Sequence, residues 1–139
     1  MNYLRSLILF CVALFAAAGE PVLVVNADLG LTEIDAGTVK KIFTARDRKW
    51  PNEVKAELCL QKSGDTAEAF NDAYIGRSPK KLIGLWKKQV FAGKAKMPEV
   101  FESDQEVLEW VAATEGAGGY VDSDSLAEVQ GVVVVTITE

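Results

Sequence analysis

The chain predicts an α/β fold: a single domain with a mixed sheet flanked by helices. Three observations carry this expectation. Two apolar, β-branched runs, Val22-Leu23-Val24-Val25 and Val132-Val133-Val134-Val135, lie towards opposite ends of the sequence, and such runs suit strands inside a sheet. Between them, stretches of helical periodicity alternate with shorter strand-like ones. The helix-like segment 107–115 also passes through Gly116-Ala117-Gly118-Gly119 directly into Tyr120-Val121, a helix-to-strand junction of the kind an alternating fold requires.

Taken in order, residues 1–18 read as a secretory signal. Arg5 supplies the positive start, 7–15 the apolar core, and Ala16-Ala17-Ala18 the small-residue cleavage site. The apolar run is shorter than the roughly 20 residues of a membrane-spanning helix. No transmembrane span is therefore expected after signal cleavage, and residues 19–139 form the periplasmic or secreted domain. Cys11 lies within the apolar core, not after a small residue, so a lipid anchor is not expected.

Residues 22–26 suit a buried strand, and Asp35 is placed to cap a helix whose face is Val39, Ile42 and Phe43. A polar connection, 44–52, holds Arg46, Arg48, Lys49 and Trp50, and Pro51 marks its boundary. A second strand over 55–61 sets Ala56, Leu58 and Leu60 on one side and Cys59 on the other. The loop 62–66 opens a helix carrying Ala69, Phe70, Ala73 and Tyr74. Asp65 is its expected cap, with Glu68 as capping-box partner. Ser78-Pro79 starts a third helix, Leu82, Ile83, Trp86 and Val90 form its apolar stripe, and Gly93 follows its last turn. Ser103 and Glu106 have capping-box spacing for a fourth helix, with Val107, Leu108, Val111 and Ala112 inward. The strand-forming run 131–137 closes the chain.

Composition removes several function classes. Fifteen Lys and Arg against twenty Asp and Glu give a net charge of −5, and loss of Arg5 with the signal makes the product more acidic. That balance argues against nucleic acid as a partner. The chain has no histidine, the commonest metal ligand and general base. Cys59 alone remains after signal removal, so no internal disulfide is expected, and its strand position suggests a half-buried thiol, not a nucleophile. Asp122-Ser123-Asp124-Ser125 alternates oxygen ligands but lacks the glycine and distal glutamate of a calcium loop. The spacing of Gly116, Gly118 and Gly119 is not that of a dinucleotide loop. These glycines are expected to end the helix and let Tyr120 approach the sheet. No metal, cofactor or catalytic group is expected, and the chain reads as a non-enzyme.

Ligands of open α/β sheets sit beyond the carboxyl ends of the strands. The loop after the second strand offers Lys62, Ser63, Gly64 and Thr66 there, residue types suited to cradling an anion at a helix start. From residue 31 to about residue 126, the order of elements resembles one lobe of the phosphate-binding, type 2 periplasmic binding proteins that serve ABC importers. Thr38-Val39-Lys40-Lys41-Ile42-Phe43, followed by Lys49-Trp50-Pro51, looks like their helix and I-F/Y-x-G-K-x-x-x-W segment. Ser63-Gly64-Asp65-Thr66 occupies the place of their G-S-G-T loop, and 116–121 that of their G-A-I-G-Y-V.

The resemblance implies an exported, non-catalytic solute-binding-like protein. Phosphate or another small oxyanion would lie at Lys62, Ser63, Gly64 and Thr66, and an envelope or transporter protein would be the partner. Two departures oppose tight binding. Gly64 stands where the family has serine, and Asp65 where it has its second glycine. A carboxylate about 4 Å from an anion costs on the order of 4 kcal/mol near a surface, more than several neutral hydrogen bonds of about 1 kcal/mol each return. The chain also has residues for one lobe only, whereas the family closes two lobes over its ligand. The alternative is an envelope interaction module that has lost the ligand, with Arg46, Arg48 and Trp50 as its partner surface.

Overall fold

The computed structural model describes residues 19–126 and 129–139. The signal-like segment 1–18, with Cys11, lies outside the described residues. Six strands form one sheet in the order β2-β6-β1-β5-β3-β4: β1 (Pro21–Asn26), β2 (Glu33–Asp35), β3 (Glu57–Gln61), β4 (Glu99–Phe101), β5 (Ala117–Asp122) and β6 (Val132–Thr138). Strand β1 pairs antiparallel with both β5 and β6, while the pairs β2–β6, β3–β4 and β3–β5 are parallel. Strand β1 therefore runs alone against the other five.

Side-chain alternation divides the core into two layers. Leu23, Val25, Leu58, Leu60 and Tyr120 point to one face. There they meet α1 (Ala36–Phe43), α2 (Asp65–Phe70) and α3 (Pro79–Phe91) through residues such as Val39, Phe70 and Trp86. Val24, Cys59, Ala117 and Val121 point to the other face, against Val107, Leu108 and Val111 of α4 (Asp104–Ala113). The mixed sheet flanked by helices is thus the expected class.

Local chemistry accounts for most helix starts. Asp35 accepts hydrogen bonds from the Thr38 hydroxyl at 2.6 Å and the Thr38 amide at 3.0 Å, which hold its carboxyl below the usual range. Ser78 caps α3 at Lys81 N and Ser103 caps α4 at Glu106 N. Glu106 Oε1 accepts in return from the Ser103 hydroxyl and from the Glu102 amide, one residue ahead of the cap amide that the expected box would use. Helix α2 differs: Gly64, at φ 106°, is its N-cap and makes no side-chain bond. Asp65 is the first helical residue, not the cap, because glycine alone suits that left-handed turn. After α2 the chain widens into a π-helical turn, Asn71–Ile75.

The glycine-rich junction serves close packing. A side chain at Gly118 would meet the Trp50 ring at 2.5 Å, and one at Gly119 would meet Cys59 Sγ at 2.5 Å and Val107 at 2.9 Å. The two glycines thus let Trp50 press on one face of β5 and Cys59 with α4 on the other. Tyr120 lies within β5, as the helix-to-strand junction predicts, and is stacked on Phe70 at 4.3 Å with 9° between the rings. The apolar stripe of α3 is narrower than its spacing suggests. Leu82 and Trp86 are buried, Trp86 donating to Phe43 O at 2.9 Å, whereas Val90 is 38% exposed. Phe91, on the opposite side, is 97% exposed.

Candidate functional site

Strands β3, β4 and β5 end side by side, so three loops share the carboxyl edge of the sheet. Lys62 leaves β3 with its amide donating to Phe101 O at 2.9 Å. Its ammonium lies 3.8 Å from Glu102 Oε1, with both side chains well exposed. Ser63, Gly64 and Asp65 are exposed and Thr66 is half-buried. The four residues expected to cradle an anion therefore lie at the entry to α2 on the expected edge, with Lys62, Ser63 and Gly64 open to solvent. Because Gly64 brings no capping side chain, the first amides of α2 have no side-chain acceptor from their N-cap.

Beneath this turn lies a buried polar network. Gln61, 4% exposed, donates from Nε2 to Asp104 Oδ1 at 2.7 Å and to Tyr120 O at 2.9 Å. The Gln61 amide donates to the Tyr120 hydroxyl at 2.9 Å. Asp104 Oδ2 accepts from the Asp122 amide at 2.9 Å and the Ser125 hydroxyl at 2.7 Å. One carboxylate thereby ties together the ends of β3 and β5 and the start of α4. The segment 122–125 is a turn rather than a cation loop, with Asp122 Oδ1 accepting from the Asp124 amide at 2.8 Å. Gln61 and Asp104 were not among the expected site residues. A polar residue ending an apolar strand, and an acidic one just inside a helix cap, are their signals in the sequence.

The charge at this edge is largely negative. Acidic side chains occur along all three loops: Asp65 and Glu68 after β3, Glu102 after β4 beside Lys62, and Asp122 and Asp124 where β5 ends. An anion arriving here meets donors in the backbone and carboxylates around them.

The second expected surface is divided by the fold. Arg46 and Arg48 are exposed, but Trp50 is 1% exposed and its indole donates to Gly116 O at 2.8 Å. Trp50 is a core residue, held in the space that Gly118 leaves, and offers nothing to a docking partner. Arg48 lines a groove of about 530 Å³ at the amino end of β3, with Lys55, Glu57, Trp86, Lys96 and Glu99 among its walls. Its charges are mixed and its floor is apolar. Cys59 is fully buried, not half-buried, because α4 covers its face of the sheet. Burial pushes its thiol far above the usual range, with Glu99 adding to the shift. Among the described residues no group of acidic or cysteine side chains is arranged to hold a metal, and no helix is long and apolar enough to cross a membrane.

No protein-family model matches the chain, and no curated protein matches it in sequence. Solved structures do match its fold. An ABC-type phosphate transport receptor from Vibrio cholerae aligns over 86% of this chain and 46% of its own, with a TM-score of 0.62 and 15% identity. A candidate phosphate ABC transporter substrate-binding protein from Clostridium perfringens, solved with bound phosphate, aligns over 86% and 45%, with a TM-score of 0.66 and 14% identity. A candidate phosphate-binding protein from Planctomyces limnophilus aligns over 87% and 42%, with a TM-score of 0.64 and 16% identity. This chain spans just under half the length of each. At such low identity the likeness is one of fold: the mixed sheet and its helices match just under half of each of these phosphate-transport and phosphate-binding proteins.

Proposed function

We propose that this chain is an exported, non-catalytic solute-binding-like protein, in which the turn formed by Lys62, Ser63, Gly64 and Thr66 meets a small oxyanion such as phosphate. The observation that carries the reading is the start of α2 after β3. It has no side-chain cap, and it lies at the carboxyl edge of a sheet shared with phosphate transport receptors. Backbone amides at such a start favour negative charge. The contact is shallow, since Lys62, Ser63 and Gly64 are open to solvent, and high affinity would need a second wall, such as one from a transporter or envelope protein. Non-enzymatic action fits the solved structures it matches, which are receptors, and the deep burial of its one described thiol.

A second reading is favoured by Asp65 and Glu102: the lobe keeps its fold, has lost the ligand, and works as an envelope interaction module. Asp65 places a carboxylate at the first position of α2, and Glu102 lies beside the loop's cation. Calorimetric titration of residues 19–139 with phosphate at low ionic strength, beside an Asp65→Asn variant, separates the two. Saturable heat from the parent supports solute binding. Heat from the variant alone identifies a lobe disabled by Asp65, and silence from both favours the interaction module.

A further inference from the structure

Between Asp72 and Glu99 the sequence has no acidic residue, although the chain as a whole carries a net charge of −5. The cations of this stretch have a definite placement. Lys80, Gly84, Lys87 and Phe91 recur at i, i+4, i+7 and i+11 along α3, which puts them in one stripe. Lys81 and Lys88 flank that stripe at the same spacing. The opposite side of α3 is fixed inward by Leu82 and Trp86, so the basic stripe faces out. All four helix lysines are exposed, and none forms a salt bridge among the described residues. Exposed Lys94 and Lys96 follow directly after the helix.

Phe91 ends the stripe with a ring 97% exposed. Folded proteins leave many apolar atoms at the surface, but a whole aromatic side chain standing free at a helix tip is a different matter. The backbone beneath it is satisfied. The amide of Gly93, at φ 72°, donates to Val90 O at 3.0 Å, and the amide of Lys94 donates to Gln89 O at 2.9 Å. This double closure occupies two of the carbonyls that a helix end otherwise presents to water, so the tip can enter an apolar layer with less backbone desolvation.

We propose that the outward stripe of α3 docks the protein on an anionic lipid bilayer, with Phe91 inserted at the acyl boundary and the surrounding lysines on lipid phosphates. Charge complementarity selects an anionic occupant. The convex shape selects a bilayer over a protein: a protruding ring needs a matched pocket in a protein but none in a fluid interface. Lysines flanking an aromatic are the arrangement by which surface helices hold headgroups while burying an apolar group. This docking is independent of oxyanion contact at residues 62–66, because it uses a different element.

The test is co-sedimentation of residues 19–139, which contain the whole sheet and both core layers, with vesicles of phosphatidylglycerol and phosphatidylcholine in equal parts. Removing 1–18 keeps its apolar run from inserting by itself. The parent should partition onto these vesicles, release as salt is raised, and ignore pure phosphatidylcholine. Phe91→Ser should weaken partitioning by at least about tenfold, Lys87→Glu with Lys88→Glu should abolish it, and Phe91→Trp should retain it with blue-shifted emission on vesicles. These positions are exposed, so melting temperatures should stay near that of the parent. Failure of the parent to sediment overturns the proposal, as does partitioning that neither set of substitutions alters. It is equally overturned if Phe91 is required only for self-association or for binding an acidic polypeptide such as polyglutamate. A failed phosphate titration leaves this result untouched, so the two readings fall separately.

Discussion

Gly119 leaves no room on the α4 side of β5, with Cys59 Sγ 2.5 Å and Val107 2.9 Å from where a β-carbon would stand. Neither neighbour has room to retreat, since both are fully buried. Gly119→Ala should therefore cost about 1 to 3 kcal/mol by overpacking, read as a lower midpoint in urea. Adding Cys59→Ala removes the nearer atom, and the double variant should recover part of the loss, a coupling that a double-mutant cycle measures. The native thiol should also resist thiol-specific reagents until denaturant is added, because burial disfavours its thiolate. Tyr120 supplies a pH dependence. Burial raises its hydroxyl from the usual 10.0 to about 12, against the opposing Gln61 bond. Its pKa is higher folded than unfolded, so its stabilising effect is complete below pH 10.0 and is lost as pH rises towards 12. Urea midpoints should fall more steeply over that window for the parent than for Tyr120→Phe.

Elements differ in how they are held, and that difference decides how legible they were. Helix α4 rests on its serine cap, so Ser103→Ala should lower stability by about 1 kcal/mol, measurable by thermal or urea unfolding. The caps of α1, α3 and α4 were readable because each is a local event of a few residues. The same holds for β1, β3 and β6, whose apolar patterns announce them. Strands β2 and β4, three residues each, were not expected. Such short edges carry no period of their own and become strands through pairing with β6 and β3. Asp65 reads as a cap because capping residues are recognised by type, whereas the left-handed φ of Gly64 makes the turn. Trp50, among Arg46, Arg48, Lys49 and Pro51, reads as surface; the space that receives it is created by the absent side chain of distant Gly118. At the candidate site, the contiguous loop 62–66 could be placed from sequence. The Gln61–Asp104–Tyr120 network could not, because its members come from three separate elements.

For the whole molecule, charge and topology are arranged at different ends. Each loop at the carboxyl edge of the sheet carries carboxylates, Glu102 beside Lys62 among them, while the cations of α3 line an outward helix face. The separation predicts opposite responses to salt: raised ionic strength should release vesicle-bound protein and should also lessen the repulsion that Asp65 imposes on an incoming anion. The topology has a consequence in time as well as in space. Strand β1 is the first part of the sheet to leave the ribosome, yet its two neighbours, β5 and β6, are the last. Until they arrive, Leu23, Val24 and Val25 have no ladder to join, and closing so long a loop is slow. A chain stopped after Thr114 should give circular dichroism of an unfolded polypeptide, and a native-like spectrum would refute this order of assembly. A polypeptide whose opening strand must wait for its closing ones cannot complete its sheet until β6 has been made, so its core is sealed late whatever the speed of its local helices.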